Sequence, residues 1–441
     1  MRFGTDGVRG VANSELTAEY ALALGRAAAR ILGGTTMLVA RDTRRSGTLL
    51  EAAFSAGACA EGVDVVHLGV MPTPALAHSS QAEGVPAAMI SASHNSFEDN
   101  GIKLFASGGT KLSDQMQGRI EHEIASLTHG HAAATAATGE AVGQVSSRDD
   151  AADAYLDHLA EVLDGRRLDG LSVVLDCANG AASFTAARVF ERLGAQVEVM
   201  FDRPDGININ AGCGSTHPAA LQAAVVDRGA DAGFAFDGDA DRMLAVDASG
   251  TLVDGDHLIA IAAVDLHERA LLRRDTVVVT VMSNLGFRRA MSGAGITVVE
   301  TGVGDRYVLE ALDEGGYTLG GEQSGHIIFR DRATTGDGLL SALAIADVMA
   351  RTNRPLADLA AVMTRLPQVL TNIRIAAPMP DVVDRIAAPL AAANAELGDD
   401  GRVLVRPSGT EPVVRVMVEA VDATVAESVA SRLAAAVAAL D

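Results

Sequence analysis

The chain predicts an α/β protein: three similar mixed α/β domains plus a smaller C-terminal α+β domain around a central cleft. Three observations carry that prediction. Strand-like runs rich in β-branched residues alternate with Ala-rich helical runs, the pattern of right-handed βαβ crossovers and largely parallel sheet. The alternation comes in three rounds about a hundred residues apart, too long a period for a short-repeat solenoid. In each round the third strand runs straight into a short polar loop, at 91–95, 237–242 and 321–326. Ligands on such sheets gather beyond the carboxyl ends of strands, so the loops are expected to share one cleft.

In the first round, 37–40 is an apolar strand followed by the polar loop 41–47, and 48–60 is helical, ending at Gly62. Residues 63–68 are strand-like, 74–80 a short helix and 87–90 the third strand; 129–147, rich in Ala, Gly and Thr, is an edge loop and linker. The second round reads strand 171–175, helix 181–193, strand 197–201, helix 218–227 and strand 232–236. The third reads helix 257–271, strand 276–282, helix 287–291, strand 296–300, helix 305–312 and strand 317–319. After 351–355 the pattern changes. Strands 368–375 and 403–405 lie around helix 382–397, and strand 412–419 and helix 423–440 close the chain. The expected domains are 1–148, 149–250, 251–366 and 367–441.

Composition excludes several functions. The 441 residues carry a net charge of −22, which disfavours a general nucleic-acid or anionic-membrane binder, since both need basic surface. At 3% aromatic and without Trp, the chain has no stacking platform for single strands. Hydrophobic residues at 48% and charged residues at 21% fit a globular enzyme, and no apolar run reaches membrane-span length. Cys59, Cys177 and Cys213 are odd in number and far apart, as free thiols of a reducing cytoplasm would be. Lysine occurs only at Lys103 and Lys111, so 33 of the 35 basic residues are arginines. Against that bias, a lysine inside a motif draws suspicion.

The loops carry the chemistry. Asp237, Asp239 and Asp241 alternate, and in an extended or loop conformation spacing of two throws three carboxylates to one side. Hard oxygen donors without His or Cys suit Mg²⁺ or Ca²⁺; an EF-hand fails because its sixth and twelfth positions would be Arg242 and Ala248. The bland alternative is an acidic cap. Ser91, Ser93, His94 and Asn95 end a strand, where Ser93 could be a nucleophile; His94 is a poor base for it, because neighbouring side chains diverge in extended chain. Arg406, Ser408, Gly409 and Thr410 combine a guanidinium, two hydroxyls and freed backbone N–H groups, a set suited to a phosphate monoester. Glu322, Gln323, Ser324 and His326 offer hydrogen bonds for a hydroxyl-rich ligand, although a glycine-rich hairpin tip looks similar.

Together, seven stretches resemble the α-D-phosphohexomutase family, on its glucosamine branch. They are 3–10 (FGTDGVRG), 91–95 (SASHN), 99–103 (DNGIK), 237–242 (DGDADR), 303–307 (VGDRY), 321–326 (GEQSGH) and 406–410 (RPSGT), in register over essentially the whole chain. One departure is Ser96, where the family usually has Pro. The resemblance implies interconversion of glucosamine 6-phosphate and glucosamine 1-phosphate, on the route to UDP-N-acetylglucosamine and cell wall. It implies a phosphoserine at Ser93 and glucosamine 1,6-bisphosphate as intermediate and activator. Mg²⁺ would be held by Asp237, Asp239, Asp241 and an oxygen of phospho-Ser93. Lys103 would be the general acid/base, a role that suits it if metal and arginines depress its pKa toward neutrality. Arg9 and His326 would join it in catalysis, while Arg242 balances charge. His94 would contact substrate, Glu322 and Ser324 would bind sugar hydroxyls, and Arg406, Ser408, Gly409 and Thr410 would clamp the phosphate that is not reacting. The implied partner is an amino-sugar phosphate in the cytoplasm, with neither nucleic acid nor membrane, and a homodimer is kept open. Glucose or mannose phosphates remain rival substrates, and a non-catalytic sugar-phosphate binder is the rival from another class.

Overall fold

The computed structural model describes residues 3–4, 6–128, 136–407 and 412–440. They form two compact units: Met1–Met282 with Ile296–Val362, and Ser283–Gly295 with Met363–Asp441.

The first unit holds three sheets built on one plan. Each has a parallel centre in which the first strand of the round lies between the second and third. The centres are Asp64–Val70, Thr36–Arg41 and Ala87–Ile90; Gln196–Met200, Ser172–Asp176 and Ala232–Phe236; and Thr297–Thr301, Thr276–Thr280 and Leu319–Gly321. β-Branched and apolar residues buried on both faces explain these strands, as in Thr276–Thr280, where all five residues are buried.

The sheets are more mixed than βαβ alternation predicts. After its third strand each returns antiparallel, through Asp99–Ala106, Met243–Asp247 and Ile327–Phe329. The three polar loops are therefore the links from the last parallel strand to its antiparallel return. Alternation alone does not reveal this, because a short return strand beside a polar loop has too few residues to show a period.

Further helices escaped the reading of the rounds. Ala18–Leu32 is started by Thr17, whose hydroxyl accepts from the Tyr20 N–H at 3.2 Å. Gly338–Thr352 is started by Asp337, which accepts from the Leu340 N–H at 2.9 Å and from the buried Tyr155 hydroxyl. Among the described residues, no helix is long and apolar enough to cross a membrane.

The second unit is a three-stranded antiparallel sheet, Gln368–Arg374, Val413–Ala420 and Gly401–Pro407, with Val413–Ala420 central. Helix Ala423–Ala438 contributes Val429, Leu433 and Val437 to a core shared with Val414, Val416 and Val418. The helix Leu285–Gly293, from mid-chain, belongs here too. Its cap Asn284 accepts from Leu366 N–H at 2.9 Å, and fully buried Glu419 accepts from Leu285 N–H at 2.9 Å.

Candidate active site

Ile90 is the last residue of its strand, and the chain then turns sharply. Ser93 has φ 53°, a left-handed conformation rare for serine, and is completely buried. Its Oγ donates to Asp237 Oδ2 at 2.5 Å and lies 3.3 Å from His94 Nδ1. Ser93 and His94 therefore do not diverge as extended backbone requires; the left-handed turn brings them together. Behind the loop lies Arg44, 1% exposed, whose guanidinium donates to the carbonyls of Ser93, Asn95, Ser96 and Asp99 while Asp42 neutralises it at 2.9 Å. Asn210 Nδ2 donates to the Ser93 and Asn95 carbonyls, both at 2.9 Å. Four carbonyls aimed at one buried cation make the loop over-determined, which is how the unusual φ is held.

The aspartates come from the equivalent link of the second sheet. One oxygen from each of Asp237, Asp239 and Asp241 lies within 4.8 Å of the others, and all three residues are buried. Of the two conformations, extended or loop, the loop is the one that gathers them. The strand ends at Phe236 and Ala240 turns left-handed at φ 56°, so a turn does the gathering. Gly238 is required there, because a Cβ would stand 2.5 Å from the Ser93 carbonyl oxygen. The donor set fits a hard divalent cation on a direct observation. Asp239 Oδ1 and Asp241 Oδ1 are buried and accept no hydrogen bond from the described residues, although each is a strong acceptor. Burial, reinforced by Asp241 and Asp239, pushes the Asp237 carboxyl up to about 8. Burial opposes the charge on Asp241 as well, but Lys103, His326 and Arg242 hold it well below the usual carboxylate range.

Lys103 lies on the return strand Asp99–Ala106, and its side chain is 3% exposed. Nζ bonds Asp239 Oδ2 at 2.8 Å, Asp241 Oδ2 at 2.9 Å and Asp6 Oδ2 at 2.9 Å. Burial would lower its pKa, but those carboxylates outweigh it and hold the ammonium well above its ordinary value. Among the protein's own groups the acids in contact outnumber the arginines nearby, so depression toward neutrality would take the charge of a bound metal. Arg9 lies alongside, donating to Asp6 Oδ2 at 2.6 Å and to the Ala92 carbonyl at 3.3 Å. Arg242 donates to His94 Nδ1 at 3.2 Å. Burial, then Arg242 and Arg9, drive His94 down to about 4, so it is neutral at ordinary pH.

The link of the third sheet adds Glu322, which accepts from the Gly304 N–H at 3.1 Å, and exposed Ser324. His326 is 2% exposed, with Nδ1 3.7 Å from Asp241 Oδ1 and Nε2 accepting from the Gly336 N–H at 3.2 Å. Ser93, His94, Lys103, Arg242, the three aspartates and His326 are thus joined by direct contacts, and Arg9 reaches them through Asp6. Arg406 belongs to the second unit, half-buried at the end of Gly401–Pro407, its pKa lowered by burial and by Arg415. Ser408, Gly409 and Thr410 lie outside the described residues.

Sequence reading passed over Asp6, Asp42, Arg44, Thr73 and Asn210. Thr73 donates to Asp239 Oδ2 at 2.6 Å. The available signal was the acidic–basic alternation just after the first strand, where Asp42 and Arg44 follow a run buried from Met37 to Ala40. A cavity of about 340 Å³ elsewhere in the first unit, lined by Val162, Leu266, Phe329 and Val348, has its arginines already paired, for example Arg166 with Asp347.

Four domain descriptions of the phosphoglucomutase/phosphomannomutase family match in order: alpha/beta/alpha domain I at 1–131, domain II at 153–250, domain III at 254–366 and the C-terminal domain at 370–436. The phosphoglucosamine mutase of Streptomyces coelicolor is 55% identical, over 98% of this chain and 97% of its own. The chain belongs to the phosphoglucosamine mutases. That of Rhodococcus opacus is 53% identical over 99% of both chains. Among solved structures, a phosphoglucomutase/phosphomannomutase family protein of Burkholderia thailandensis superposes with a TM-score of 0.80 at 27% identity, covering 99% of this chain and 97% of its own. Aspergillus fumigatus N-acetylphosphoglucosamine mutase, solved with GlcNAc-6P and magnesium, shares the phosphohexomutase fold at a TM-score of 0.70 and 18% identity, over 99% and 95% of the two chains.

Proposed function

We infer that the chain interconverts glucosamine 6-phosphate and glucosamine 1-phosphate through a phosphorylated Ser93 and glucosamine 1,6-bisphosphate. One observation carries the residue assignment: the Ser93 hydroxyl is hydrogen-bonded at 2.5 Å into a buried aspartate triplet that also binds a buried lysine. In the forward step the free sugar hydroxyl forms the new P–O bond as the bond from phosphorus to Ser93 Oγ breaks. The hydroxyl loses a proton and Oγ gains one. Lys103, charged in its carboxylate setting, is the donor to Oγ and then the acceptor from the hydroxyl. The bisphosphate turns over and returns its other phosphate to Ser93, so protein and net charge are restored.

Asp237, Asp239 and Asp241 are the proposed holders of Mg²⁺, with a phosphate oxygen on Ser93. Bound there, the ion neutralises charge on the transferring group. Arg9 and Arg242 add fixed positive charge beside the serine, and neutral His94 is a hydrogen-bonding contact for substrate. Glu322 and Ser324 bind sugar hydroxyls with help from His326. Arg406, Ser408, Gly409 and Thr410 hold the phosphate that is not transferring. Intact mass before and after incubation with glucosamine 1,6-bisphosphate tests this reading. A single added phosphate that is lost in Ser93→Ala is expected; an unchanged mass in the wild-type chain, with no turnover of glucosamine 6-phosphate, overturns it.

A further inference from the structure

Lys111, the second lysine in a chain of arginines, takes no part in the mechanism above. It lies on the short strand Thr110–Lys111, which pairs with the strand that carries Lys103. Its side chain is one-tenth exposed and sits between two carboxylates: Nζ is 2.9 Å from Asp6 Oδ1 and bonds Asp305 Oδ2. The other oxygen of Asp6 is the one bound by Lys103 and Arg9. Asp305 Oδ2 also lies 3.5 Å from His326 Nε2. The contacts close into a ring of alternating acidic and basic residues, with His326 as its polar closing member, that runs Asp241, Lys103, Asp6, Lys111, Asp305, His326 and back to Asp241.

The ring joins the N-terminal loop, the return strand of the first sheet, the start of helix Asp305–Gly315 and two of the polar loops. We propose that Lys111 is a positioning residue for phosphoryl transfer, acting through Asp6 to fix the ammonium of Lys103. The proposal rests on the mutase reading for its catalytic consequence. A compact ammonium with three donors suits a buried gap between two facing carboxylates, whereas a planar guanidinium needs more room and a different bond geometry. That accounts for a lysine at this position in a chain that otherwise uses arginine.

Because the untagged chain has only two lysines, lysine-selective ¹³Cε labelling gives two side-chain signals, and Lys111→Met leaves that of Lys103 alone. The surviving signal is expected away from both wild-type positions, with the same result in Lys111→Arg. In steady-state assays both variants should lose about 10- to 100-fold in kcat with KM within a few-fold, the scale for a reacting group misplaced by about an ångström. Asp6→Asn should remove the sensitivity to Lys111→Met, giving a strongly non-additive double-mutant cycle. A surviving signal at a wild-type position, additive effects, or full kcat in Lys111→Arg overturns the proposal. Failure of both variants to fold makes Lys111 a structural cross-link and overturns it too. The labelling needs no substrate, so it answers separately from the mutase reading, which fails instead if the wild-type chain shows no turnover.

Discussion

A serine at φ 53° costs free energy that its surroundings must offset, and the two obvious replacements of Ser93 separate that cost from the chemistry. Both Ser93→Ala and Ser93→Gly should abolish turnover. Alanine keeps the strained backbone, while glycine relieves it, so Ser93→Gly should be the more stable of the two by about 1 kcal/mol in urea titration. Equal stability would mean that the loop relaxes out of its left-handed turn once the hydroxyl is gone. Arg44 is the other residue on which this turn depends. Lysine keeps its charge but cannot reach four carbonyls, so Arg44→Lys should cut kcat by at least about tenfold and speed amide exchange around Ser93 and Asn95. Normal exchange with lowered kcat would assign Arg44 an electrostatic role instead.

At the scale of elements, the third strand of each round and the polar loop after it were legible, because a buried apolar run ending abruptly in Asp, Ser or Glu has few other readings. The return strands were not, and Lys103 stands on one of them. Nor could composition show that helix Leu285–Gly293 belongs to the C-terminal unit, since an amphipathic helix does not name its partner. Arg44 was hidden for a related reason: an arginine in a polar loop reads as solvated until four carbonyls converge on it. The strand Ser172–Asp176 ends in another such group. Asp176 accepts from the Ala178 N–H at 2.9 Å and the Gly214 N–H at 2.8 Å, so it ties two turns together. Burial raises its carboxyl to about 6 even against those bonds. A folded pKa above the unfolded value of about 4 means the folded chain binds the extra proton, so this contribution is full below pH 4 and is lost as pH rises through 6. Compared with wild type, Asp176→Asn should flatten stability against pH in that window by up to about 1.4 kcal/mol per pH unit. An unchanged slope between pH 4 and 6 would show that Asp176 is already ionised.

For the molecule as a whole, thiol chemistry offers a probe of one unit alone. Cys59, Cys177 and Cys213 are all buried and all lie in the larger unit. Burial and the nearby Asp176 hold the Cys177 thiol well above its ordinary value and push that of Cys213 up to about 12. At neutral pH such a thiol has roughly a thousandfold less thiolate than a free one, before access is considered. The folded protein should therefore take up almost no thiol reagent, and uptake during urea titration should follow the larger unit's transition only. Rapid modification without urea would show that this unit opens locally around its cysteines.

The smaller unit draws its parts from two places in the chain, and that has a consequence during biosynthesis. Ser283–Gly295 leaves the ribosome dozens of residues before Met363–Asp441 does, and Asn284 and Leu285 must wait for Leu366 and Glu419. A nascent chain interrupted after the third polar loop carries Phe287 and Met291, both buried in the finished protein, before the rest of their unit exists. Such a fragment carries the apolar side of an amphipathic helix without its later partners, which the finished unit supplies. That unit can therefore close only after both of its segments have been made.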